Sequence, residues 1–294
     1  MFMTKGEIMS LRALAILPAT FLSFSVLADH LGHDELMSLT PDPNIKPTYA
    51  ADNKTYKSGG IGILVYDGAN AVDALGPYQV FSTAGLRPFL VSGSKNEKGV
   101  YKKSITFNNR LHVTADRTIA NTHNLEVLVV PGGAFETVQA AMNPEIIKWV
   151  RGIDKNTIYT TSVCTGSWIL GAAGLLQGKQ ATSNWYRADE LLTHFGAIPK
   201  PSFRYVFDGK LVTANGVTAG IDMALALVKK VFAHDHTNGE DFTQSVMLDL
   251  QYDPDPPIRG GSPENTDTYV YEGMTYMYDF FQLGDTVKQI PIQP

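Results

Sequence analysis

From residue 60 onward, short continuous apolar runs trade places with segments of helical spacing. Residues 61–66 (IGILVY) and 125–130 (LEVLVV) are apolar almost throughout, as in strands buried on both faces. Residues 89–92 and 157–163 read as two further strands. Between them lie helical patterns: 72–84, with Val72, Leu75, Val80 and Phe81 on one side, and 143–151, where Asn143 caps and Pro144 begins the helix. Residues 165–176 and 218–231 continue the series, and 238–250 can add one more helix. Residues 105–118 read as a β-ribbon, and 203–212 as a hairpin turning at Asp208-Gly209. Strands alternating with helices predict an open α/β sheet, mostly parallel, with helices on both faces. Ligands in such sheets sit beyond the carboxyl ends of the strands. Asp67, Pro131-Gly132-Gly133 and Cys164 all fall there.

The flanks read differently. Lys5 and Arg12 precede an apolar stretch at 13–27, interrupted by Pro18 and closed by Val26-Leu27-Ala28, the pattern of a secretory signal peptide over residues 1–28. The stretch is short for a membrane span, which needs about 20 residues. The chain is therefore expected to be exported, periplasmic in a Gram-negative source, with no stable membrane anchor after cleavage. Residues 29–59 are polar and proline-containing, a linker or loosely packed arm. His30 and His33 there match no metal-ligand spacing. Residues 252–264 (YDPDPPIRGGSPE) are turn-rich, and 265–294 form an aromatic-rich extension.

Composition adds limits. The 294 residues are 44% hydrophobic and 18% charged, an ordinary globular balance, and the net charge of -5 gives no basic surface for nucleic acid.

The chemistry centres on the chain's one cysteine, Cys164, in SVCTGS. A lone thiol forms no disulfide within its chain, and free cysteine is often a plain core residue. Its place between a strand and a helix suits a nucleophile held forward on a tight turn, with helix amides favouring the thiolate. Gly166 supplies the small neighbour such a turn needs, and Thr165 can cap the helix, assist the thiol, or both. Gly132 and Gly133 form either a plain turn or backbone donors for a developing anion. Asp73, in a first helical turn, either complements the helix dipole or acts as acid and base beside the thiol, with Asp67 as runner-up. Trp168 and Trp185 suit an apolar substrate pocket or ordinary core packing. No histidine falls in a motif.

At VDALGPYQVF, VVPGG, TSVCTGSWILGAAGLLQGKQAT, LLTHFGAIP, VTANGVTAGIDMALAL and LQYDPDPPIRGGSP the chain resembles the ThiJ/PfpI superfamily, relatives of the class I glutamine amidotransferases. The likeness covers residues 60–264 and is greatest to the isonitrile hydratase branch. It implies a flavodoxin-like fold, a homodimer, a small-molecule substrate, and no metal or organic cofactor. It also implies Cys164 as nucleophile on an isonitrile carbon, Asp73 as proton donor and base, and Thr165 as assistant. Gly132, Gly133 and the Thr165 amide would line the anion site. Related regulators carry an added helix-turn-helix region for which this chain has neither length nor charge. Where relatives often carry histidine, this chain has Asn184, which cannot act as a base. Two other readings use the same cysteine: a redox or reactive-carbonyl responder, and a binding module without turnover. Responders of this kind place glutamate, not aspartate, beside the thiol.

Overall fold

A computed structural model describes residues 60–108, 110–232 and 239–293. The signal peptide expected over 1–28 and the arm expected over 29–59 lie outside these residues, as do His234 and His236.

The continuous apolar runs form the middle of the main sheet. Strand β1 (Ile61–Val65) and strand β6 (Val127–Val130) are buried at every position. Strands β2 (Pro88–Ser92), β5 (Arg117–Thr118), β7 (Tyr159–Val163), β10 (Tyr205–Asp208) and β11 (Leu211–Ala214) complete seven strands, in the order β10-β11-β7-β6-β1-β2-β5. Every neighbouring pair is parallel except β10 with β11, the hairpin expected at Asp208-Gly209. The expected ribbon is β3 (Ser104–Phe107) paired antiparallel with β4 (Leu111–Thr114). A short parallel pair, β8 (Gln180–Ala181) with β9 (Ile198–Pro199), stands apart from the main sheet.

Helices surround the sheet in two groups that pack among themselves. One contains α1 (Ala71–Thr83), α6 (Ala219–Phe232) and α7 (Gly239–Asp249); the other contains α2 (Phe135–Met142), α3 (Pro144–Asp154) and α4 (Gly166–Ala172). The start of α3 follows the expected chemistry: Asn143 Oδ1 accepts from the amides of Glu145 and Ile146. Helix α4 is shorter than the expected 165–176, because the chain leaves it through Gly174 at φ +72°. Helix α5 (Ala188–His194) precedes β9. The aromatic extension is itself helical, as α8 (Thr268–Phe280) and α9 (Leu283–Val287). Among the described residues, no helix is long and apolar enough to cross a membrane.

The strand order places the site. The chain runs from β1 outward to β2 and β5, then returns to β6 on the other side of β1. The reversal opens a crevice at the carboxyl ends of β1 and β6, where open α/β sheets bind ligands. Val130 of β6 pairs with Ser162 of β7, so Pro131-Gly132-Gly133 and Cys164-Thr165 leave the sheet side by side.

Candidate active site

Cys164 follows the last residue of β7 and takes φ +58°, the left-handed region that side chains avoid. Such a conformation costs on the order of 1–3 kcal/mol and persists only where its surroundings hold it. Here the Cys164 amide donates to Ala214 O at 3.0 Å. Ser167 Oγ and Ser183 Oγ both lie 3.3 Å from the Cys164 carbonyl and 2.6 Å from each other. Two hydroxyl protons cannot fill three contacts, so one serine donates to the carbonyl and the other to its neighbour. Gly166 packs on β6: a side chain there would meet the backbone of Val130 and Pro131. This is the strand-to-helix elbow read from SVCTGS.

Asp73 reaches the thiol from the first turn of α1 and is fully buried. Its Oδ2 accepts from the Gly132 amide at 2.9 Å. Its Oδ1 is buried without a well-formed hydrogen bond among the described residues, and the carboxylate interacts with the Cys164 thiol. Burial is the largest influence and pushes the Asp73 pKa up to about 7, against the Gly132 and Cys164 contacts that lower it. Asp73 is thus no simple helix-dipole partner. Burial also pushes the Cys164 thiol above its ordinary range, and Asp73 adds to the rise. The Thr165 amide, Asn184 and the Thr165 hydroxyl pull the other way. The helix-start amide of Thr165 thus favours the thiolate, while desolvation and the neighbouring carboxylate act more strongly the other way.

Thr165 does not cap α4 with its side chain. Its Oγ1 accepts from the amides of Gly133 at 3.0 Å and Ala134 at 3.2 Å, and contacts Thr137 Oγ1 at 2.8 Å. Thr137 Oγ1 in turn lies 3.1 Å from the Tyr66 hydroxyl, which donates to Pro131 O at 3.0 Å. Each hydroxyl has one proton, so the directions follow. Tyr66 gives its proton to Pro131 O, Thr137 gives its own to Tyr66, and Thr165 gives its own to Thr137. Burial raises the Tyr66 pKa, keeping the phenol a donor. Thr137 and Tyr66 escaped sequence reasoning because their partners are 28 to 71 residues away along the chain.

Gly132 and Gly133 lie as expected beside the elbow, but both amides are directed to side chains, Gly132 to Asp73 and Gly133 to Thr165. A side chain at Gly132 would come within 2.7 Å of the Thr165 nitrogen and 3.0 Å of Asp73 Oδ2. The PGG turn therefore holds the acid and the elbow together.

Asn184 occupies the place expected for histidine. Its Nδ2 donates to Cys164 Sγ at 3.5 Å, while its Oδ1 accepts from the Tyr186 amide at 3.0 Å. That second bond fixes which end faces the sulfur. Asp67 is separate: Lys102 at 2.8 Å, the Thr106 amide and Ser94 hold its pKa low against the effect of burial.

A cavity of about 370 Å³ lies over the sulfur, lined by Cys164, Thr165, Asn184, Gly133, Trp168 and Tyr278, among others. Among the described residues, no histidine, lysine or arginine lines it. Among the described residues, no cluster of histidine, cysteine and acidic side chains is arranged to hold a metal ion. Trp168 is both core and wall, being 1% exposed. Trp185 instead stacks on Tyr271 and Tyr278 of α8, at ring distances of 5.5 and 5.9 Å. The extension thereby reaches the site, with Tyr278 and Leu283 in the cavity wall.

Known proteins resemble this chain in sequence and fold. The isonitrile hydratase of Pseudomonas putida is 38% identical over 216 residues, 72% of this chain and 86% of that protein. A helix-turn-helix-type transcriptional regulator of Pseudomonas aeruginosa is 31% identical over 120 residues, but the match spans only 35% of its length. The crystal structure of a ThiJ/PfpI family protein from Pseudomonas syringae superposes with TM-score 0.69 at 31% identity, over 85% of this chain and all of that one. Drosophila melanogaster DJ-1β, at 17% identity and TM-score 0.56, shares the fold over 66% of this chain and 98% of its own. Residues 60–230 match the DJ-1/PfpI family as a whole, and the chain belongs to that family.

Proposed function

We propose that the protein hydrates small isonitriles to N-substituted formamides, with Cys164 as nucleophile and Asp73 as proton carrier. The observation that supports this most is a buried carboxyl, poised near pH 7, against a thiol at the end of a small-molecule cavity. The similarity to a hydratase over most of both chains agrees with it.

The steps balance as follows. Asp73 takes the thiol proton while the sulfur attacks the terminal isonitrile carbon, and that proton passes to the carbon. A thioimidate results, with a new C–S bond and a C–H bond. Water then adds to the same carbon, its oxygen bonding there while Asp73 relays one of its protons to the nitrogen. The tetrahedral adduct collapses to the formamide as the C–S bond breaks, Asp73 relaying the hydroxyl proton to the sulfur, and the thiol is restored. Asn184 Nδ2 and the Thr165 amide stabilise negative charge on sulfur in the first and last steps. Thr165, Thr137 and Tyr66 act by positioning the elbow.

Purified protein should convert an alkyl isonitrile to its formamide, and Cys164→Ala should abolish the conversion. Turnover surviving in that variant would rule out covalent catalysis. Intact-protein mass spectrometry during turnover should show the thioimidate adduct. We also propose export with removal of residues 1–28, which the same spectrum reads as a chain beginning at Asp29, and a homodimer, measured by light scattering.

A further inference from the structure

We propose that the cavity selects substrates carrying a positive charge and that Glu136 reads that charge. The inference rests on the hydration reading and names its substrate class.

Glu136 lies in the first turn of α2, where an acid ordinarily complements the helix dipole and faces water. Here it lines the cavity that holds Cys164. Room for it comes from Gly68, at φ +82°: a Cβ there would lie 2.8 Å from Glu136 Cβ and 3.0 Å from its Cδ. Any larger residue at 68 would displace the carboxylate arm. The carboxylate makes no hydrogen bond or ion pair among the described residues. Among the described residues, its neighbours in the cavity wall offer no cation. Asn70, Asn108 and Asn184 are neutral amides. The lysine paired near Gly68, Lys102, is committed to Asp67 at 2.8 Å.

The remaining wall suits a cation as well. Tyr278 and the almost fully buried Trp168 are aromatic residues of the wall, and aromatic rings attract alkylammonium groups. An anionic substrate would meet Glu136 and, once ionised, Asp73, with no lining cation among the described residues to offset them. A neutral substrate leaves Glu136 unused. At about 370 Å³ the space is at the small end of ligand sites, so the charged group and the reacting carbon must be joined by a short linker. The fitting class is a short isonitrile ending in an ammonium group.

The test compares two isonitriles of matched shape, one ending in trimethylammonium and one in tert-butyl, with the full chain and with Glu136→Gln. The expected result is a kcat/KM ratio favouring the cation by about tenfold, shrinking towards one in Glu136→Gln and falling in high salt. Equal kcat/KM for the two in the native protein would overturn the inference, and so would a cation preference that survives Glu136→Gln. If neither compound turned over, the hydration reading would fail instead. Binding of tetramethylammonium, followed by tryptophan fluorescence, then decides the subsite alone: weaker binding in Glu136→Gln supports it, and equal or absent binding overturns it.

Discussion

Asp73 carries a stability cost that its proposed chemistry requires. Its ordinary pKa of 3.8 rises to about 7 in the folded chain, chiefly through burial. Between those two values the folded state holds a proton that the unfolded state releases. Stability therefore falls as pH rises from about 4 to about 7 and levels off above. Three units at 1.36 kcal/mol each set an upper bound of about 4 kcal/mol. The thiol's own rise lies above this window and leaves the sign unchanged. Asp73→Asn keeps an acceptor for the Gly132 amide but cannot ionise. The variant should lose about 10²–10⁴-fold in kcat while melting higher than the native protein at pH 8 and much the same at pH 4. Melting curves at the two pH values check the sign; a variant less stable at pH 8 would contradict the burial argument. Cys164 and Asp73 were legible in the sequence because each sits in a short motif at a strand or helix end. Thr137, Tyr66 and Glu136 were not, since their positions become meaningful only when β1, β6 and β7 lie side by side.

Among elements, those read most directly were the ones with the simplest burial. β1 and β6 are apolar runs buried on both faces, and α3 announces itself with a cap and a proline. Helix α2 was missed: its eight residues include Glu136, Thr137 and Gln139, too few and too mixed for a period to show. Helix α8 was seen only as aromatic-rich sequence. Its tyrosines and phenylalanines face several directions, and Tyr269, Tyr276 and Phe280 remain largely exposed, so no single apolar stripe marks it. What anchors α8 is a few specific ties. The Tyr186 hydroxyl donates to Asp279 Oδ1 at 2.6 Å, Tyr186 packs on Tyr278 at 5.0 Å between ring centres, and Phe281 meets Phe135 edge-on at 6.0 Å. Arg187 adds ion pairs to Asp279 and Asp285, each at 3.7 Å and of small worth at the surface. Tyr186→Phe removes one bond to a charged acceptor, a loss of about 1–2 kcal/mol. Because Tyr278 and Leu283 form cavity wall, loosening α8 should raise KM several-fold with kcat little changed. Hydrogen exchange should quicken in 268–287 before the central strands; an unchanged KM would mean that the extension takes no part in binding.

At the scale of the whole molecule, one thiol in a chain of 294 residues makes Cys164 a single reporter of both site access and unfolding. It is 7% exposed, at the bottom of a cavity walled by seven separate stretches of chain. Thiols react as thiolates, and burial together with Asp73 disfavours that form here. A sensing role would call for the reverse, an accessible low-pKa sulfur open to peroxide. The two readings therefore differ in a rate. With a bulky maleimide at pH 7, the folded protein should label at least about a hundredfold more slowly than the guanidinium-unfolded chain. As guanidinium is raised, the labelling midpoint should coincide with the loss of far-ultraviolet circular dichroism, because the elbow depends on β7 pairing with β6 and β11 as well as on its own turn. Labelling that runs ahead of the dichroism would show the site opening on its own, from the side of α8. Rapid labelling of the fully folded protein would show an exposed thiolate, and the responder reading would then replace hydration.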